Sequence, residues 1–235
     1  MQASPIILVP GFWLGAWAWD PVTAILRPQG YRVRALTLPG LETVEANRSA
    51  VSLTSHIDAI CDALWQAGEP AVLAVHSAAG FAGYAASDRM PERIRAMIYV
   101  DTAPGKGALN PAFDAVDYPL PSWEDMDPED IALLNPDERH LLRDRAVPEP
   151  GALLREAAQL TNAQRQDIPS IVICTSRPQE EIKALAHQGY SFLAGLPELH
   201  HVVYIDLPTH HWPMWSRPDD IAQILAKAAH GYLPR

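Results

Sequence analysis

Hydrophobic positions along the chain gather into six short runs, at 6–9, 31–36, 71–75, 94–100, 171–174 and 202–205. The runs are rich in β-branched residues and mostly apolar on both faces, the pattern of parallel strands covered by helices on either side. Helical periodicity fills the intervals. Asp20-Pro21 offers an N-cap and a proline at the first helical position, and Gly30 closes that unit. After Ser52, the residues Ile57, Ile60, Cys61, Leu64 and Trp65 recur at i, i+3, i+4, i+7, i+8, with Gly68 as the stop. Pro218 opens a last helix carrying Ile221, Ile224, Leu225 and Ala228. This alternation predicts a mostly parallel, doubly wound α/β sheet with right-handed crossovers.

One stretch breaks the rhythm. Between about 104 and 168 there is no convincing strand, several prolines and two or three short helical patterns around 128–160. A structureless loop of that length is rare inside a compact domain. The stretch therefore reads as a short helical lid inserted over the sheet, within a single domain spanning 1–235. The alternative is an ordinary solvated helical layer. The same stretch holds thirteen Asp/Glu against six Lys/Arg, so −7 of the chain's net charge of −10 lies there.

Composition narrows the function classes. An excess of 28 acidic over 18 basic residues repels phosphate backbones and anionic membranes, so neither nucleic acid nor membrane is an expected partner. Cys61 and Cys174 are too few for a disulfide framework or a cysteine zinc site, and both sit in apolar settings as small core residues. No apolar run reaches a membrane span, and Met1-Gln-Ala-Ser-Pro lacks the basic start of a signal peptide, which leads us to expect a cytoplasmic protein. No metal-ligand spacing, G-x-G-x-x-G or P-loop occurs, so no cofactor and no metal are expected.

Two segments carry chemistry. Val72-Leu-Ala-Val-His-Ser77-Ala-Ala-Gly80 runs an apolar strand into a serine and then into small residues opening a helix. A sharp strand-to-helix turn there lifts the serine oxygen clear of the sheet. The pattern departs from G-x-S-x-G at both glycines, with Val75 and Ala79 in their places, and Val75 calls for a more open turn. Pro10-Gly-Phe-Trp-Leu-Gly-Ala-Trp-Ala-Trp19 follows the first run. Gly11 allows a turn in which the N–H of Phe12, with that of Ala78, forms a two-donor oxyanion hole. The competing readings are a chance strand–serine–helix and an aromatic loop packed on the core.

Together with Thr209-His-His-Trp-Pro213, these segments resemble the α/β-hydrolase superfamily, nearest its small methylesterase and hydroxynitrile-lyase-like branch. The resemblance implies an α/β-hydrolase fold, a nucleophile–acid–histidine order and a serine-hydrolase mechanism. Ser77 is then the nucleophile. His211 is the base, because an aromatic residue and a proline follow it. His210 occupies the place where relatives carry a small residue, so glycine there is expected to be tolerated. His200 and His201 lie at the far end of a strand, His56, His140, His187 and His230 fall in helical stretches, and His76 is expected to buttress the turn.

For the acid, the stretch after 171–174 has no carboxylate until Glu180 and Glu181, which read as the first turn of a helix. Asp101 ends the run that should neighbour the nucleophile strand and is the expected acid; Asp206 is a weaker rival. Phe12, Trp13 and Trp212 are expected pocket walls. The expected substrate is a small, neutral, rather apolar carboxylic ester or lactone, cleaved through an acyl-enzyme. Two other classes share the scaffold. A hydroxynitrile-type lyase carries lysine after the histidine, where this chain has Trp212, and a slow-turnover ligand-binding protein could keep the same triad. The sequence does not define an oligomeric state.

Overall fold

The computed structural model describes residues 2–232. Strand β1 (Ile6–Val9) leads through a 3-10 turn into α1 (Asp20–Leu26), then β2 (Val33–Ala35), α2 (Leu53–Gln66), β3 (Ala71–His76), α3 (Ala79–Arg89) and β4 (Ile94–Val100). The lid follows, with β5 (Asp117–Tyr118), α4 (Pro128–Ile131), α5 (Pro136–Arg145), β6 (Glu149–Pro150) and α6 (Ala152–Arg155). The chain then returns through β7 (Ser170–Cys174), α7 (Gln179–Ala186), β8 (Val202–Asp206), α8 (Pro213–Ser216) and α9 (Pro218–Ala229). Six strands pair in the order β2-β1-β3-β4-β7-β8, all parallel.

The runs that are apolar on both faces occupy the sheet centre because both faces are covered. Leu73, Val75, Met97 and Tyr99 meet Ile57, Ile60 and Leu64 of α2 and the alanines of α3. On the other face Leu8, Val72, Ala74 and Ile98 meet Val22 and Leu26 of α1 and Ile221 and Leu225 of α9. Each fully buried Leu, Ile or Val contributes about 1.5–3 kcal/mol, so this two-sided core fixes where the strand ends lie. Ser52 caps α2 through a reciprocal bond with Ser55, as its place before the periodic run suggests.

Local details depart from the sequence reading. Trp65 is 63% exposed, off the buried stripe of α2, and its ring lies under the Arg93 guanidinium at 4.5 Å. Asp20 is the first residue of α1 and makes no side-chain cap, because the preceding 3-10 turn (Ala16–Trp19) runs directly into the helix. The lid contains strand as well as helix: β5 and β6 form a two-residue antiparallel pair, too short to leave a period in the sequence. Among the described residues no helix is long and apolar enough to cross a membrane.

Candidate active site

The carboxyl ends of β1, β3, β4 and β7 and the loop after β8 converge beneath the lid, where doubly wound sheets place their sites. Beyond β3 the backbone turns sharply at Ser77, whose φ of +52° is left-handed. A non-glycine residue held there costs about 1–3 kcal/mol, so the surroundings must enforce it. They do so by close approach. A Cβ on Gly11 would lie 2.6 Å from Ser77 Cβ, which makes the loop after β1 a glycine-dependent neighbour of the turn. The bulk of Val75 is taken up by Gly83 of α3, where a Cβ would fall 2.4 Å from Val75 Cγ1. The expected opening of the turn is thus replaced by a glycine one helical turn further along.

Asp101, immediately after β4, is also left-handed, with φ +46°. Its Oδ1 accepts the N–H groups of Thr175 and Ser176 at 2.9 and 3.0 Å, and its Oδ2 accepts Ser176 Oγ–H at 2.7 Å. The stretch after β7 that lacks a carboxylate therefore supplies the donors for one on the neighbouring strand. His211 Nδ1 lies 2.6 Å from Asp101 Oδ2, and His211 Nε2 lies 2.7 Å from Ser77 Oγ. Burial pushes the Asp101 carboxyl up, but the hydrogen bond and charge of His211, with those of Ser176 and Thr175, hold it well below the usual range. Burial pulls the His211 imidazole down, yet the bond to Asp101 and the charges of Asp130 and Asp101 leave it above its ordinary value.

His76 Nε2 donates to the His211 carbonyl at 2.7 Å, and the two rings lie 4.7 Å apart. Burial and the neighbouring His211 lower His76 to about 3, so it is a neutral strut. His210 is 1% exposed: its Nδ1 accepts the Trp212 N–H at 3.1 Å and its Nε2 faces Glu138 of α5 at 3.3 Å. Glycine at 210 would leave a buried N–H without its acceptor and an empty volume, so the change is expected to cost stability even where it spares the chemistry. Glu180 pairs with Lys183, Glu181 with Arg177, and Asp206 caps α7 through Gln179; none of the three bonds to His211.

Phe12 and Ala78 line the same cavity as Ser77, and their backbone N–H groups have no acceptor among the described residues. A cavity of about 770 Å³ opens over Ser77 and His211, with Phe12, Trp13 and one edge of Trp212 in its wall. Trp212 is otherwise core, 2% exposed and stacked on Trp215 at 5.6 Å. Leu109, Leu154, Ile182, Leu185 and Phe192 are among its apolar lining residues, and Asp127, Asp130 and Arg177 among its charged ones. Arg177 is engaged by Asp127, Glu129 and Glu181. Asp130 was not singled out in the sequence: its carbonyl accepts the His211 N–H at 3.2 Å, and its carboxyl, raised by burial, stands 3.8 Å from His211 Nδ1. Asp101, Asp130 and His211 are near enough to share an ion, but His211 Nδ1 already carries the proton shared with Asp101. Nothing in the chain's local pattern marks Asp130, which comes from a four-residue lid helix.

The description "alpha/beta hydrolase family" matches residues 6–224. The chain belongs to that family. Methyl jasmonate esterase 1 of Vitis vinifera is 32% identical over 100 residues, 40% of this chain and 37% of that protein. Esterase PIR7B of Oryza sativa subsp. japonica is 34% identical over 101 residues, 41% of this chain and 38% of that protein. The matched stretches thus span less than half the length of these relatives. An extracellular alpha/beta-hydrolase from a Paenibacillus species, said to share structural and functional homology with tobacco salicylic acid binding protein 2, superposes with a TM-score of 0.74. At 21% identity it covers 95% of this chain and 99% of its own, which speaks for the fold.

Proposed function

We propose that this chain is a serine hydrolase of small, neutral, rather apolar carboxylic esters or lactones. The observation that carries the reading is the bonded series Ser77–His211–Asp101, at 2.7 and 2.6 Å, on a serine and an aspartate that are both left-handed. Ser77 Oγ attacks the carbonyl carbon as its proton passes to His211 Nε2, and Asp101 stabilises the imidazolium. The carbonyl oxygen becomes an oxyanion facing the N–H groups of Phe12 and Ala78; one such donor is worth about 2.7–4 kcal/mol in the transition state. His211 then returns the proton to the departing alkoxide, leaving an acyl-Ser77 ester. Water, deprotonated by the same imidazole, releases the acid.

The cavity walls support this substrate class. A cavity of about 770 Å³ with many apolar lining residues suits a small organic acyl group. Asp130 repels a second carboxylate near the reacting carbonyl, which favours neutral substrates. The esterase names of the relatives from Vitis and Oryza agree with ester cleavage. Ser77→Ala is expected to abolish turnover of p-nitrophenyl acetate while the unfolding midpoint stays within about 1 kcal/mol of wild type. A mutant keeping most of its turnover would reject Ser77 as nucleophile.

A further inference from the structure

Trp13 is the third left-handed non-glycine residue among those described, with φ +65°, and it lies beside Phe12 rather than in the Ser77–His211–Asp101 series. A bulky residue leaves that conformation unless held. The lid holds it at three points. The Trp13 N–H donates to Glu149 Oε2 at 3.0 Å, its carbonyl accepts the Val147 N–H at 2.9 Å, and its Nε1–H donates to the Tyr118 carbonyl at 3.0 Å. Glu149 is 1% exposed, an expensive place for a carboxyl group.

Phe12 is therefore gripped from both sides. Upstream, Gly11 lies against Ser77 too closely for any side chain. Downstream, the peptide linking Phe12 to Trp13 is tied through its N–H to Glu149. Release of that N–H lets Trp13 relax towards negative φ, which turns the peptide and the Phe12 backbone with it. Resting on the serine-hydrolase reading, we infer that Glu149 is a positioning residue for the oxyanion hole: its buried carboxyl, delivered by lid strand β6, fixes the Phe12–Trp13 peptide so that the Phe12 N–H meets the oxyanion. Burial, opposed by the Trp13 N–H and the Arg48 charge, pushes the Glu149 carboxyl up to about 8. Glutamine is the closest substitute for the acid, with a carbonyl oxygen that can accept the same N–H.

The test compares Glu149→Gln and Glu149→Leu in the full chain, reading kcat, KM and unfolding midpoint with p-nitrophenyl acetate, and Ki for a trifluoromethyl ketone that forms an oxyanion on a serine. Glu149→Gln should keep kcat within about 3-fold. Glu149→Leu should lower kcat by about 10–100-fold, part of the 10²–10³ lost with a whole oxyanion donor, while KM stays within about 3-fold and Ki rises by a factor similar to the kcat loss. Should Glu149→Leu not fold, Glu149→Asp, which draws the acceptor back by one methylene, should show the same kcat-specific loss. Unchanged kcat in the folded variant, a loss expressed in KM with ketone affinity intact, or a Glu149→Gln defect as large as that of Glu149→Leu would each overturn the inference. Ser77→Ala run alongside separates the two layers. If it is inactive and Glu149→Leu is normal, only the role of Glu149 fails; if Ser77→Ala is active, the hydrolase reading fails.

Discussion

Two carboxylates with different tasks approach Nδ1 of the His211 imidazole. Asp101 bonds to Nδ1 and is itself bound by three further donor groups, so it stays ionised and fixes the ring. Asp130 makes no such bond and acts on the ring through charge at 3.8 Å. A base must be neutral to take the Ser77 proton, so kcat/KM rises with pH through the free-enzyme pKa of His211. Asp101 and Asp130 raise that pKa above its ordinary value, so the acid limb is expected at higher pH than a free imidazole would give. Asp101→Asn should lower kcat by up to about 10⁴-fold, as the same change does in a serine protease, and move the limb to lower pH. Asp130→Asn should also move the limb to lower pH, while kcat at pH 8 stays within about 5-fold. A pH–rate profile of Asp130→Asn that superposes on wild type would remove Asp130 from the electrostatics of the site. Asp101 was legible in the sequence because it ends an apolar run; Asp130 and Glu149 were not, because each meets its partner more than 80 residues away through a lid with little periodicity.

Elements meet at the site through small residues whose partners are distant in sequence. The four runs of the inner strands β1, β3, β4 and β7 were legible because both their faces are buried, and the turn at Ser77 because only small residues can follow it. The compensation for Val75 was not, since Gly83 looks like any helical glycine until α3 lies on β3. In an exposed helix interior, Gly→Ala gains about 1 kcal/mol. Here the new methyl would fall 2.4 Å from Val75 Cγ1, so Gly83→Ala should instead destabilise by about 1–3 kcal/mol in urea unfolding. Val75→Ala, destabilising alone, should recover part of that loss in the double mutant. Additive destabilisation would show that α3 shifts freely and that the turn does not depend on this contact. Two-residue strands leave no such trace, so β5 and β6 were not legible although they carry two of the three residues that grip Trp13.

Across the whole molecule, the sheet supplies a rigid floor and the lid completes the site. Ser77 and Asp101 stand at the ends of neighbouring central strands, paired so that His76 lies beside Val100. His211 reaches them from the loop after the edge strand β8, held by His76 from the floor and by the Asp130 carbonyl from the lid. Three left-handed residues, Trp13, Ser77 and Asp101, all fall at this one junction, as expected of a site whose geometry is enforced by the fold around it. On the proposed reading, turnover passes through an ester on Ser77. Rapid mixing of the purified chain with excess p-nitrophenyl acetate, quenched in acid and followed by intact and peptide mass spectrometry, detects that ester directly. A pre-steady-state burst of nitrophenol, with the acetyl group on the peptide containing Ser77 and absent from Ser77→Ala, is the expected result. Turnover with the acetyl group on any other residue, or an undiminished burst in Ser77→Ala, would contradict it.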